Sequence, residues 1–309
     1  MNAYTQVRSL SLIIQPGDSF FPLVDAIDSA KRSINMTIFR MDDPVVRDAM
    51  SNAVGRGVRV RALVAPLAKG WGKRNRKLST ELSAMGIDVR FPKNAEDLKL
   101  KRYHYKILAV DDTHSLILTF NPTRKNLHYA RDFGVLIRDN TITSELDRLF
   151  DADWDGKDFE PQNDLPLVIS PFNSRGKLFE LLASATRSIR IMDAKLQDQQ
   201  AMELLTRKAD EGCDIKIIGR NTHYENAGPN FHARRLARYK LHAKCIVVDS
   251  ARFFIGSQNL RRVSLEARRE LGIIIQDEPM ARKIERLFDE DWASASEVLS
   301  SPSLDSQPT

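Results

Sequence analysis

The chain has little cysteine, no long apolar run and only a modest excess of positive charge. Its 309 residues include two cysteines, Cys213 and Cys245, which form neither a metal-ligand nor a redox pattern. Cys245 lies inside the apolar run KCIVVD and reads as a reduced core residue. No run approaches the roughly 18 apolar residues of a membrane span. The N-terminus, MNAYTQVRSLSLIIQPGDSF, lacks a charged segment followed by a clean apolar stretch and a small-residue cleavage site. The expectation is an unprocessed cytoplasmic protein, at most peripheral to a membrane. Net charge is only +6, with a pI near 9.3, compatible with anionic partners such as nucleic acid or acidic lipid headgroups.

What is present is an ordinary soluble composition, 42% apolar and 28% charged, at a length suited to about two domains. An internal repeat then organises the chain. At a constant offset of 138, His104, Lys106 and Asp111 face His242, Lys244 and Asp249. The register continues without a gap through Asn121/Asn259, Asp132/Glu270, Gly134/Gly272, Phe150/Phe288, Asp153/Asp291 and Trp154/Trp292. Upstream the offset becomes 155, pairing Pro16 with Pro171, Arg32-Ser33-Ile34 with Arg187-Ser188-Ile189, and Gly57 with Gly212. The first half therefore carries 17 more residues between about 65 and 103 than the second does between about 220 and 241.

Each half reads as strands alternating with helices. FFPLVDAIDSAKRSI and GKLFELLASATRSI have helical apolar spacing and lead into NMTIF and RIMDA. VVRDAMSNAVGRG and AMELLTRKADEG end at glycine before VRVRALV and DIKIIG. KILAVD/KCIVVD, SLILTF/RFFIGS and FGVLIRD/LGIIIQD follow as β-rich runs. This alternation predicts two tandem α/β units, residues 1–160 and 161–295, joined across the polar segment 156–166, with a disordered tail at 296–309.

On a strand, residues i and i+2 share a face, so His104 projects beside Lys106 and His242 beside Lys244. Imidazole beside ammonium suits an anionic phosphate: lysine supplies charge without a metal, while imidazole attacks phosphorus or moves a proton. Asp111 and Asp249 fall at the far end of their strands, where a structural role fits better than a chemical one. One such motif would read as an exposed strand edge; two in register point to chemistry.

These paired HxKxxxxD motifs resemble those of the phospholipase D superfamily, and the resemblance runs from about residue 10 to 295. The second copy, with Gly256-Ser257, Asn259 and Glu270, is near the family pattern. The first departs from it at Leu118-Thr119 and Asp132. The resemblance implies two pseudo-twofold-related α/β domains, each a mixed sheet flanked by helices, and a metal-independent phosphodiesterase without cofactors. It implies a phosphohistidine on His104, with His242 as acid and then base. Lys106, Lys244, Asn121, Asn259, Thr119 and Ser257 would bind phosphate oxygens, and Asp132 and Glu270 would orient the imidazoles. Phospholipid is the favoured substrate, hydrolysed to phosphatidate or passed to an alcohol; nuclease action on DNA or RNA is the alternative.

His114, His128, His223 and His232 have no repeat partner and read as surface residues, and Trp154 and Trp292 as core. Lys69-Gly-Trp71-Gly-Lys73-Arg74-Asn-Arg76-Lys77 reads as a basic, aromatic loop bordering the site mouth. Basic residues also precede each motif: Lys99, Lys101 and Arg102 in the first, Arg234, Arg235, Arg238 and Lys240 in the second.

Overall fold

The computed structural model describes residues 9–66, 68, 70–92, 103–220 and 228–297. His223, Lys69, Lys99, Lys101, Arg102 and tail residues 298–309 lie outside them. The first half runs β1 (Leu10–Gln15), α1 (Phe21–Ser29), β2 (Ser33–Ile38), α2 (Pro44–Gly55), β3 (Arg59–Val64), α3 (Gly72–Ala84), β4 (Asp88–Arg90), β5 (Ile107–Val110), β6 (His114–Leu118), α4 (Arg124–Tyr129), β7 (Ala130–Ile137) and α5 (Asn140–Asp155). The second runs β8 (Leu167–Ser170), α6 (Ser174–Ala183), β9 (Ser188–Asp193), α7 (Gln199–Asp210), β10 (Asp214–Ile218), β11 (Phe231–Arg235), β12 (Lys240–Leu241), β13 (Lys244–Val248), β14 (Arg252–Gly256), α8 (Arg262–Glu266), β15 (Glu270–Gln276), α9 (Glu278–Ala293) and β16 (Ser296–Glu297).

Two mixed sheets result, in the orders β1-β7-β6-β5-β2-β3-β4 and β16-β11-β10-β9-β13-β14-β15-β8. Short strand β12 leaves its own half to pair in parallel with β7, Lys240 opposite Ala130. One apolar cluster packs α1, α2 and α3 on the first sheet, and another packs α6, α7 and α8 on the second. A third holds the two sheets together with α5 and α9, from Ile107, Phe133 and Phe150 to Cys245, Phe253 and Phe288. Burial of this size is the main favourable term in folding, and here it is shared between halves.

Two expectations change. The basic stretch after Trp71 is the helix α3, not a loop: its Asn75, Leu78 and Leu82 are buried along one face, the 3-4 spacing of a helix. Asn75 donates to the carbonyls of Phe39 and Ala65, at 3.0 and 2.7 Å, so a polar residue occupies a core position. At the other end, Ser296–Glu297 is not loose but pairs antiparallel with β11. The segment 157–166 forms neither helix nor strand, although Phe159 is buried.

Candidate active site

The strands decide which side chains meet. In both sheets the motif strand runs antiparallel to a central one, β5 against β2 and β13 against β9. His104 and His242 therefore lie where β2 and β9 end, at the carboxyl edge that α/β sheets commonly use for ligands. His104 N donates to the Arg269 carbonyl (2.8 Å), and His242 N to that of Arg131 (3.2 Å). Each motif is thus anchored on the opposite half.

The carboxylates cross over as well. His104 Nδ1 lies 2.7 Å from Glu270 Oε2, and His242 Nδ1 lies 2.9 and 3.1 Å from the oxygens of Asp132. A carboxylate accepts from Nδ1–H, which leaves Nε2 as the lone-pair nitrogen facing outward. Lys106 and Lys244 each donate to the carbonyl of their own histidine, and Lys244 Nζ is 3.4 Å from the His242 ring nitrogens. Phe39 meets His104 edge-on, with ring centroids 4.5 Å apart.

Burial dominates the electrostatics. It lowers His104 to about 3 against the opposing pull of Glu270, with Lys106 and Lys244 adding to the depression. His242 falls to about 4 for the same reasons, with Asp132 opposing. Lys106 is brought down to about 7 by burial, helped by Lys244 and Arg40. Burial raises Asp132 and Glu270, but their histidine partners and lysines outweigh it, so both stay below the ordinary carboxylate range. The site at neutral pH therefore holds two neutral imidazoles, two ionised carboxylates and a lysine poised to titrate.

Two groups of expected residues fall elsewhere. Asp111 and Asp249 do not reach the site: each sits past its strand's far end in a left-handed turn. Asp111 accepts from the backbone N–H groups of Lys31, Arg32 and Ser33 (2.7, 2.7 and 2.8 Å), and Asp249 from those of Thr186, Arg187 and Ser188 (2.9, 2.8 and 2.9 Å). They close the helix-to-strand turn below each sheet. Thr119 and Ser257 are fully buried and spent on the carboxylate layer rather than presented to a ligand. Thr119 Oγ1 donates to Asp132 (2.6 Å), and Ser257 Oγ accepts from Leu271 N (3.0 Å) and favours the ionised form of Glu270. Asn121 and Asn259 are buried two residues further on, and Asn121 Oδ1 has no hydrogen-bond partner among the described residues. His128 and His232 are exposed, and His114 bonds Ser29.

Sequence reasoning missed six contributors. Asn126 Nδ2 donates to Asp132 (2.9 Å). Asp193 stands opposite Lys244 in the β9–β13 register and is raised by burial to about 6. Arg131 pairs with Asp291 (2.6 Å) and Arg269 with Asp153 (3.1 Å), buried and between halves. Arg40 and Lys195 follow β2 and β9, each acting on the lysine of its own half. Arg131/Arg269 recur at offset 138 and Arg40/Lys195 at offset 155, so the repeat itself carried that signal. Among the described residues no cluster of three or more His, Cys, Asp or Glu is placed to hold a metal ion.

A family model described as cardiolipin synthase, PLD-like domain, matches residues 23–154 and 178–292. A cardiolipin synthase of Clostridium perfringens is 26% identical over 356 residues, covering 96% of this chain and 73% of that protein. The major cardiolipin synthase ClsA of Bacillus subtilis is 24% identical, covering 93% and 70%. Among solved structures, the polyphosphate kinase of Porphyromonas gingivalis superposes with a TM-score of 0.74 at 19% identity. It matches 98% of this chain, which spans about half (53%) of that one. The phosphatidylserine synthase of Haemophilus influenzae gives 0.71 at 12% identity over 96% and 88%. At such identities the structures speak for the fold alone.

Proposed function

Since the chain belongs to the cardiolipin synthase, PLD-like domain family of the phospholipase D superfamily, we propose that it is a phospholipid phosphodiesterase that passes a phosphatidyl group to an alcohol or to water. The observation that carries this is the crossed pair, His104 on Glu270 and His242 on Asp132, with both lysines in one buried site. The likeness to cardiolipin synthases supports a phospholipid as the substrate.

His104 is the nucleophile. Its Nδ1–H is held by Glu270, so the Nε2 lone pair attacks phosphorus while the headgroup oxygen leaves. His242, across the site, protonates that oxygen. Burial keeps it neutral, but the negative charge of a bound phosphodiester raises its pKa toward the protonated state the step requires. It then removes a proton from the incoming hydroxyl, which displaces His104. Lys106 and Lys244 neutralise the non-bridging oxygens, and the Asn121 and Asn259 amides, turned about χ2, offer N–H donors to them.

The test is turnover of phosphatidylglycerol, phosphatidylcholine, and single- and double-stranded DNA in excess EDTA, with acid-quenched trapping of the phosphoenzyme. Lipid turnover is expected, with label retained by His242→Asn and lost in His104→Asn. Label on the His104 variant overturns the assignment of the nucleophile, loss of all turnover in EDTA overturns the metal-free mechanism, and cleavage of DNA without lipid turnover overturns the substrate.

A further inference from the structure

Isolated exposed apolar side chains on a soluble protein are scattered and need no explanation, whereas a gathered set marks an interaction surface. The most exposed large hydrophobic residues described here are Tyr129 (68%), Phe21 (60%), Phe172 (45%), Phe91 (39%) and Val45 (37%). All five lie at the same end of the two sheets. Tyr129 directly precedes β7, whose third residue is the His242 partner Asp132. Phe21 and Phe172 follow β1 and β8, whose last residues, Gln15 and Ser170, stand opposite Asp132 and Glu270. Val45 is the second residue of α2, which follows β2, and Phe91 directly follows β4, parallel with β3 and β2. The far end, where Asp111 and Asp249 close their turns, has none of the five.

The same rim is basic. Lys73, Arg76 and Lys77 are exposed on the first turns of α3, beside half-buried Trp71. Arg40 lies over both the Trp71 and Phe39 rings, at 5.7 and 5.3 Å, tying α3 to the aromatic that touches His104. Lys125, Lys195 and Lys240 are also exposed around the opening. Apolar tips among cations match the interfacial layer of a bilayer containing acidic lipid. A nucleic acid would use the cations but has no need of Phe21, Val45 or Phe91.

We propose that the end of the molecule bearing His104 and His242 is a docking face for an anionic phospholipid bilayer, seated by Phe21, Val45, Phe91, Tyr129 and Phe172 and held by the basic start of α3.

Co-sedimentation with mixed phosphatidylglycerol–phosphatidylcholine vesicles and with phosphatidylcholine vesicles tests it. Wild type should partition to the mixed vesicles. The triple variant Lys73→Glu, Arg76→Glu, Lys77→Glu should lose roughly tenfold or more of that partition. A matched control, Lys31→Glu, Arg59→Glu, Arg138→Glu, makes the same charge change at the far end and should lose much less. The double variant Phe91→Ser, Tyr129→Ser should weaken binding with no change of charge, and thermal melts report that each variant is folded. Equal losses in the two charge variants, no vesicle binding by wild type, or retention on DNA with none on vesicles would each overturn the proposal. Lipid turnover with no vesicle partition would sink it while leaving the proposed reaction standing.

Discussion

Lys106 is the side chain whose environment makes the sharpest claim. Its amine is protonated below about pH 7 and loses its charge as the pH rises through that value. In the proposed reaction its charged form binds phosphate, so kcat/KM should fall on the alkaline side with an apparent pKa near 7, measured with a soluble diester. A bound anion favours the charged lysine, so the limb in kcat should lie at higher pH. Lys106→Arg should remove the limb, since guanidinium does not titrate there. Asp132→Asn and Glu270→Gln keep shape but replace an acceptor-only group, and each should lower kcat by about 10²–10⁴-fold with little change in KM. The histidines, lysines and both carboxylates could be named from spacing alone. Which carboxylate serves which histidine could not, because a repeat reports equivalence and not contact. Thr119 and Ser257 fall elsewhere than the resemblance implies: it assigns their hydroxyls to phosphate, and only burial reveals that they serve Asp132 and Glu270.

Among elements, α3 was the one read as a loop. Its basic, asparagine-containing start lacks apolar periodicity, because Asn75 fills a core position by bonding two carbonyls instead of by packing. The departure at Leu118, by contrast, turns out to be a packing exchange. A Cβ on Gly134 would lie 2.7 Å from Leu118 Cδ2, so Leu118 covers the bare backbone of its neighbour strand. In the second half Phe254 lies against the paired Gly256 and Gly272 and does the same. Gly272→Ala places a methyl against that ring and 2.9 Å from Gly256 Cα. It should cost about 1–3 kcal/mol in urea unfolding, whereas loss below 0.5 kcal/mol would deny the close fit. The cross-half ion pairs sit deeper still. Asp291→Ala strands the buried Arg131 guanidinium and should cost about 3–5 kcal/mol, much of it recovered in an Arg131→Met, Asp291→Leu double variant.

At the scale of the whole molecule, the two-sheet α/β organisation was legible because the repeat kept its register for about 50 residues. The way the halves face each other was not, since it rests on β12 crossing to β7 and on a core that neither half contains alone. Fragments parted within 156–166 should therefore show no turnover singly, each exposing its share of that core, with activity returning only if mixing restores the pair. The exchange of carboxylates between halves also bears on descent. Once one unit had been doubled and fused, neither copy was free to drift on its own, because a change in the acid of one copy is felt by the base of the other. His104 retains the glutamate usual for the family although it belongs to the more divergent copy, and His242, in the more conservative copy, works against the shortened Asp132. Heritable lesions should accordingly sort by partnership and not by position in the chain. His242→Asn and Asp132→Asn should share one defect, His104→Asn and Glu270→Gln the other.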